Sequence, residues 1–205
     1  MSYFIEACCP DLESVHHAVQ AGANRIELCQ ELEIDGVTPS VSLIRSALTA
    51  AGSVPVNVLI RPRGGNFVYS AIEVQQMVQA VRMCKSEGVN GVVVGALKSD
   101  GSVDTDTVSK LICEAGSIDI TFHRAFDESR DLKAALEDII GLGIRRVLTS
   151  GGCPTAYQGR FVLRELVSQA AGRIIIMPGC GVRASNIDEI ASVTGAKEFH
   201  GSKLL

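Results

Sequence analysis

Gly22-Ala23-Asn24-Arg25-Ile26-Glu27-Leu28-Cys29 is the stretch on which the fold turns. A glycine, two short residues and then a strand follow in order, and such a glycine suits the position just past a helix, where left-handed φ carries no Cβ penalty. The same grammar restarts at Gly88, leading into Val92-Val93-Val94-Gly95, and at Gly143, leading into Val147-Leu148-Thr149-Ser150. It returns at Gly195 before Phe199-His200-Gly201-Ser202, the four glycines being 66, 55 and 52 residues apart. Midway between them lie strand-like runs at 4–8, 56–61, 118–124 and 173–178. Each full period thus holds two strands, and eight are expected in all.

Helical signals fill the gaps. Thr38-Pro39 reads as an N-cap followed by proline at the first helical position, and Ser70-x-x-Glu73 as a capping box. Asp131 caps the apolar-periodic run Leu132, Ala135, Leu136, Ile139 and Ile140, and Ser185 opens a helix through Ile187, Ile190 and Val193. Strand–helix alternation with short links implies parallel strands joined by crossovers. Eight such units close most economically into a (β/α)8 TIM barrel. A doubly wound open sheet usually has five or six strands and a glycine fingerprint after the first. Here the first turn is Cys8-Cys9-Pro10-Asp11, which has no glycine. One domain over 1–205 is expected. Leu205 comes just after the eighth strand, so the eighth helix is expected to be absent. The seam between the eighth and first strands would then be uncovered or shared with a second subunit, which points to a homo-oligomer, most simply a dimer.

The composition narrows the functional classes. The chain has 205 residues, 46% hydrophobic and 20% charged, which fits a globular protein with a substantial core. Its net charge is −4 and no basic block occurs, so neither a nucleic-acid footprint nor a polybasic membrane patch is expected. No apolar run approaches the roughly 18 residues that span a bilayer. Glu6 interrupts the one apolar stretch near the start, Met1-Ser2-Tyr3-Phe4-Ile5-Glu6, which argues against a signal peptide. Seven cysteines without C-x-x-C spacing do not make a disulfide framework. A soluble protein of the reducing cytoplasm is expected.

Strand side chains alternate, so outward apolar residues identify the inward ones. Ile5, Ala7, Ile26 and Leu28 should face helices, leaving Glu6, Cys8, Glu27 and Cys29 inside. By the same parity Arg61, His123, Ser150, His200 and Ser202 point inward, with Arg63, Arg124 and Asp127 in the loops above. Buried charge is costly unless paired, and the C-terminal strand ends are where such barrels place their sites. Three glycine turns close the mouth, at Ser150-Gly151-Gly152, Pro178-Gly179-Cys180-Gly181 and Gly201-Ser202. Backbone N–H groups there, Gly179 and Gly181 included, suit an anionic or polyhydroxylated ligand. The segment Arg61-Pro62-Arg63-Gly64-Gly65-Asn66-Phe67 reads as a mobile lid with two guanidinium groups at its base. Cys8 and Cys29 are expected at equal heights on adjacent strands, close enough for two thiolates to hold a soft, low-coordinate ion such as Cu(I). The plainer reading is that both are small buried hydrophobes.

Six motifs in order carry a family resemblance: Arg25-Ile26-Glu27-Leu28-Cys29, Gly36-Val37-Thr38-Pro39-Ser40, Ile60-Arg61-Pro62-Arg63-Gly64-Gly65, Thr121-Phe122-His123-Arg124-Ala125-Phe126-Asp127, Arg146-Val147-Leu148-Thr149-Ser150-Gly151 and Glu198-Phe199-His200. Together they resemble the CutC copper-homeostasis family over essentially the whole chain. The resemblance implies a cytoplasmic TIM barrel linked to copper handling, with Cu(I) on the pair matching Cys8 and Cys29, and it brings no accepted reaction. Cys180, where the family usually has glycine, departs from the pattern, and members usually continue about one helix beyond the eighth strand.

Two functions follow. One is copper homeostasis through Cu(I) binding by Cys8 and Cys29. The other is an enzyme for a small anionic or sugar-like metabolite. It would use Glu6, Glu27, His123 and His200 for acid–base work and Arg61 and Arg63 as an anion clamp, with Arg124, Asp127, Ser150 and Ser202 beside them.

Overall fold

The computed structural model describes residues 3–204, so Met1, Ser2 and Leu205 lie outside the described residues. The elements alternate as expected: β1 (Phe4–Cys9), α1 (Leu12–Gln20), β2 (Arg25–Leu28), α2 (Val41–Ala51), β3 (Val56–Leu59), α3 (Ala71–Glu87), β4 (Gly91–Val94) and α4 (Thr105–Ala115). There follow β5 (Asp119–Phe122), α5 (Leu132–Gly141), β6 (Arg146–Thr149), α6 (Arg160–Ala170), β7 (Ile175–Pro178), α7 (Ile187–Thr194) and β8 (Glu198–Gly201). Short 3-10 turns occupy Leu32–Ile34 and Arg124–Glu128. Among the described residues no α-helix follows β8. None is long and apolar enough to cross a membrane.

All strand pairs are parallel, in the spatial order β7-β6-β5-β4-β3-β2-β1-β8. The sheet curls into a nearly closed barrel, and β7 meets β8 at the seam. There a Cβ on Gly179 would lie 3.4 Å from the Cβ of His200. Two separate apolar groups show which way each strand faces. Ile26, Leu28, Val58, Ile60, Val92, Val94 and Phe122 belong to the large core under the helices. Cys29, Leu59 and Val93, with Cys8 against them, form a small cluster inside the barrel. The expected alternation therefore holds on β1 to β5. Each fully buried Leu, Ile or Phe in the outer layer stabilises by roughly 1.5–3 kcal/mol, and the interior is left free for polar groups.

The capping signals are mostly where the sequence puts them. Ser70 Oγ accepts from the Glu73 N–H at 3.3 Å and Glu73 accepts from the Ser70 N–H at 2.7 Å. Asp131 accepts from the N–H groups of Lys133 and Ala134. Two starts differ. Ser40, not Thr38, caps α2, because the Thr38 hydroxyl is engaged across the strand with the backbone of Arg61, whose N–H it accepts at 2.8 Å. Asn186, not Ser185, precedes α7, and its amide ties Gly181 and Arg183 together in the loop above β7.

Candidate functional site

A cavity of about 620 Å³ opens at the C-terminal end of the barrel. It is lined by Cys8, Glu27, Cys29, Arg61, His123 and His200, with Arg124, Asp127, Gly181 and Ser202 towards the rim. Cys180 also reaches it. Glu6 lies beneath its floor and is fully buried. Arg63, Ser150 and Gly179 are not in its wall.

The two thiols are not level. Cys8 pairs in register with Glu27, so Cys29 stands two residues further along its strand. The sulfurs meet on the diagonal at 3.9 Å. A neighbouring strand about 4.8 Å away and an offset of two residues, about 6.6 Å, put the Cα atoms roughly 8 Å apart. Disulfides usually have Cα atoms within about 7 Å, so closing the bond would require the two strands to shift. All seven cysteines are free. The Cys8 thiol is pushed well above its ordinary range, first by its hydrogen bond to Cys29 and then by burial and the charge of Glu27. Cys8, Glu27 and His200 each offer a ligand atom within 4.8 Å of the other two, a set with thiolate, carboxylate and imidazole character.

Below the thiols runs a ladder of charge. Register puts Glu6 opposite Arg25 on one side and opposite His200 on the other. Glu6 accepts from Arg25 Nε, and His200 Nδ1 lies 2.9 Å from its other oxygen. His200 Nε2 lies 3.2 Å from Glu27. Arg25 continues to Glu198 at 2.8 Å, and Arg146 shares that Glu198 oxygen at 3.2 Å. Parity expectations stopped at the upper half of the barrel and missed this floor. Arg25 and Glu198 each stand two residues before a predicted inward group, and that spacing was the signal that would have found them.

The ladder splits its carboxyls. Burial, reinforced by the negative charge of Glu6, raises Glu27 to about 7 against the pull of His200 and Arg25. Burial works upward on Glu6 too, but its bonds to His200 and Arg25 outweigh it and hold Glu6 down to about 2. Burial would lower His200, yet Glu27 and Glu6 raise it. A raised carboxyl keeps, in the folded chain, a proton that the unfolded chain gives up near its ordinary value of 4.5. Stability from Glu27 therefore falls as pH rises from there to about 7, and the raised His200 acts in the same sense. Urea unfolding is expected to give about 2 kcal/mol more stability near pH 5.5 than near pH 8.5, with Glu27→Gln removing most of that slope. A profile that rises over this range would contradict the assignment.

The expected two-arginine clamp reduces to one arginine. Arg61 donates to the carbonyls of Ile34, Gly36 and Gly65 at 2.9, 2.9 and 2.8 Å, which ties the loop after β2 to the loop after β3. Arg63 lies past Pro62, where strand parity lapses. It turns outward onto Tyr69 and bonds Glu73 and Asn66, so it organises its own loop. Asp127 is likewise spent internally. It pairs with Arg124 Nε at 3.0 Å and accepts from Thr149 Oγ1, the Ser150 N–H and the Gly152 N–H. Gly179 serves packing, since a Cβ there would come within 2.3 Å of Leu148 Cδ1. Burial and the charge of Arg61 lower His123 to about 3, so near neutral pH the ring is uncharged.

The model of the CutC family matches residues 3–205. A CutC family protein of Parabacteroides distasonis is 46% identical over 202 residues, which cover 98% of this chain and 83% of that one. Its counterpart in Xylella fastidiosa is 46% identical over 198 residues, covering 97% and 74%. A crystal structure from Streptococcus agalactiae, described as that of a candidate copper homeostasis protein CutC, superposes over all of both chains with a TM-score of 0.95 at 31% identity. An aldolase, QR15, has a TM-score of 0.72 at 17% identity and shares the fold alone.

Proposed function

This chain belongs to the CutC family, and from that premise we propose that it takes part in copper homeostasis by binding Cu(I) through Cys8 and Cys29 in the reducing cytoplasm. The observation that carries the reading is the 3.9 Å separation of the two sulfurs. A metal–thiolate bond is about 2.3 Å, so sulfurs sharing one ion stand at most about 4.6 Å apart. Soft thiolates select Cu(I), and the apolar collar of Leu59 and Val93 favours a low coordination number. Glu27 and His200 lie within reach of Cys8 and can offer a third donor if their contact with each other opens. Loading displaces the Cys8 proton, so affinity rises with pH. A pair that closes a disulfide only if its strands shift stays available to metal, and copper is here cargo rather than a resident cofactor.

The test is an anaerobic Cu(I) titration against a competing chelator. Cys8→Ser combined with Cys29→Ser is expected to weaken binding by more than about a hundredfold, beyond the 10–100-fold that losing a merely supporting residue costs. Equal affinity in wild type and double variant would remove these thiols from copper handling.

A further inference from the structure

Copper on the β1–β2 thiols leaves the opposite wall of the cavity without a task. Extending the β3–β4 and β4–β5 registers by one inward step places Arg61, Gly95 and His123 in a single row across three strands. Gly95 opens the middle of that row. A Cβ there would sit 2.5 Å from His123 Cε1, so the imidazole leans over β4 towards Arg61 only because the side chain is missing.

Each end of the row presents one unused donor. The His123 Nδ1 accepts from the Ala125 N–H at 3.1 Å, which fixes the proton of the neutral ring on Nε2. That Nε2 is buried and has no partner among the described residues. Arg61 commits its terminal nitrogens to three carbonyls, while its Nε is buried and, apart from the neighbouring Tyr69 hydroxyl, has no acceptor among the described residues. His123 is 4% exposed and Arg61 3%. Buried N–H groups without acceptors are rare, and two in one cavity wall call for a common acceptor. Phe67 covers both, its ring 4.9 Å from the guanidinium carbon of Arg61 and its centroid 4.9 Å from that of His123. Of the acidic groups lining the cavity, Glu27 is engaged with His200 and Asp127 with the loop after β6, while Asp35 and Glu128 stand at its rim. An oxyanion is therefore favoured here by the two N–H groups and the charge of Arg61 acting together, against the partial opposition of Asp35.

We propose that the β3–β5 wall is a second ligand subsite, which takes an oxyanion group of a small metabolite, carboxylate or phosphate, on Arg61 Nε–H and His123 Nε2–H once the Phe67 ring turns aside. Arg61 supplies charge and one N–H, and His123 supplies a neutral N–H. The cavity volume, about 620 Å³, lies within the range of small-molecule sites. The subsite is independent of the thiol pair, and its ligand and copper have no group in common.

The experiment uses metal-free full chain with 15N-labelled histidine, titrated separately with acetate, pyruvate and inorganic phosphate while the ring nitrogens of His123 are followed by NMR. The Nε2–H tautomer is expected, with a saturable shift of Nε2 by at least one probe. Phosphate alone or the carboxylates alone identifies the oxyanion. His123→Phe and Arg61→Lys are each expected to weaken that binding about tenfold or more, as loss of a bond to a charged acceptor does. The Cys8→Ser, Cys29→Ser protein should bind the probes as wild type does, which separates this subsite from the copper reading. A proton on Nδ1, the absence of any probe-induced shift, or unchanged binding by His123→Phe would overturn the proposal. Should a variant fail to fold, the tautomer and the wild-type titrations still decide it.

Discussion

Replacing Glu6 by alanine is expected to lower the free energy of unfolding by about 3–5 kcal/mol, the range seen when one partner of a buried ion pair is removed. Glu6 is 0% exposed and serves two cations at once, Arg25 from β2 and His200 from β8. Alanine leaves Arg25 with Glu198 alone and opens a void beside His200. Water compensates the loss poorly, because Glu6 itself is fully buried beneath the cavity floor. The pH dependence provides an internal control. A carboxyl held down to about 2 contributes stability that is complete above its ordinary value of 4.5 and lost as pH falls towards 2. The gap between wild type and Glu6→Ala should therefore be widest near neutrality and close on acidification. Urea unfolding at several pH values measures both. A loss below about 1 kcal/mol at pH 7 would mean that the row is hydrated or its groups already neutral.

Asp127→Ala is expected to cost about 3–4 kcal/mol, through hydrogen bonds to a charged acceptor worth roughly 1.5–3 kcal/mol each and imperfectly replaced by water. Its two oxygens hold Thr149 Oγ1 at 2.5 Å, the Ser150 N–H at 3.0 Å and the Gly152 N–H at 2.9 Å, besides Arg124. The turn after β6 thus rests on a carboxylate from the turn after β5. Neighbouring backbone has no slack there. A Cβ on Gly159 would fall 1.9 Å from the Ser150 carbonyl oxygen, so the segment before α6 packs closely on this turn. Asp127→Asn, which keeps one acceptor oxygen, should recover part of the loss. Thermal or urea unfolding of the two variants side by side checks the order, and equal stability of alanine variant and wild type would refute the role given to this carboxylate.

Much of the architecture could be read from local patterns. Glycine before each second strand and the two-residue alternation are properties of short segments, and they located eight strands and the inward faces of β1, β2, β3 and β5. Partner choice is not local. Arg61 and Arg63 differ by two positions and look equivalent in the sequence, yet one stands on the strand's inward parity and the other beyond Pro62, where nothing carries parity forward. The heights of Cys8 and Cys29 depend on the stagger between β1 and β2, which neither strand encodes alone. Thr38 and Ser40 are both good caps, and the tertiary demand of Arg61 for a hydroxyl decided between them. The floor of Arg25, Arg146 and Glu198 was legible by the same spacing that identified Glu27 and His200.

β8 is the last of the eight barrel strands in chain order, and it brings Glu198 and His200 together. Until those two arrive, Arg146 lacks its Glu198 partner and Glu6 and Glu27 lack their shared imidazole. A nascent chain holding only the first seven strands thus carries interior charge that is only partly paired, through Glu6–Arg25 and Arg146–Asp119, and remaining open and wet is its cheaper state. Synthesis order and electrostatics together make docking of the final strand the event that commits the cylinder to close.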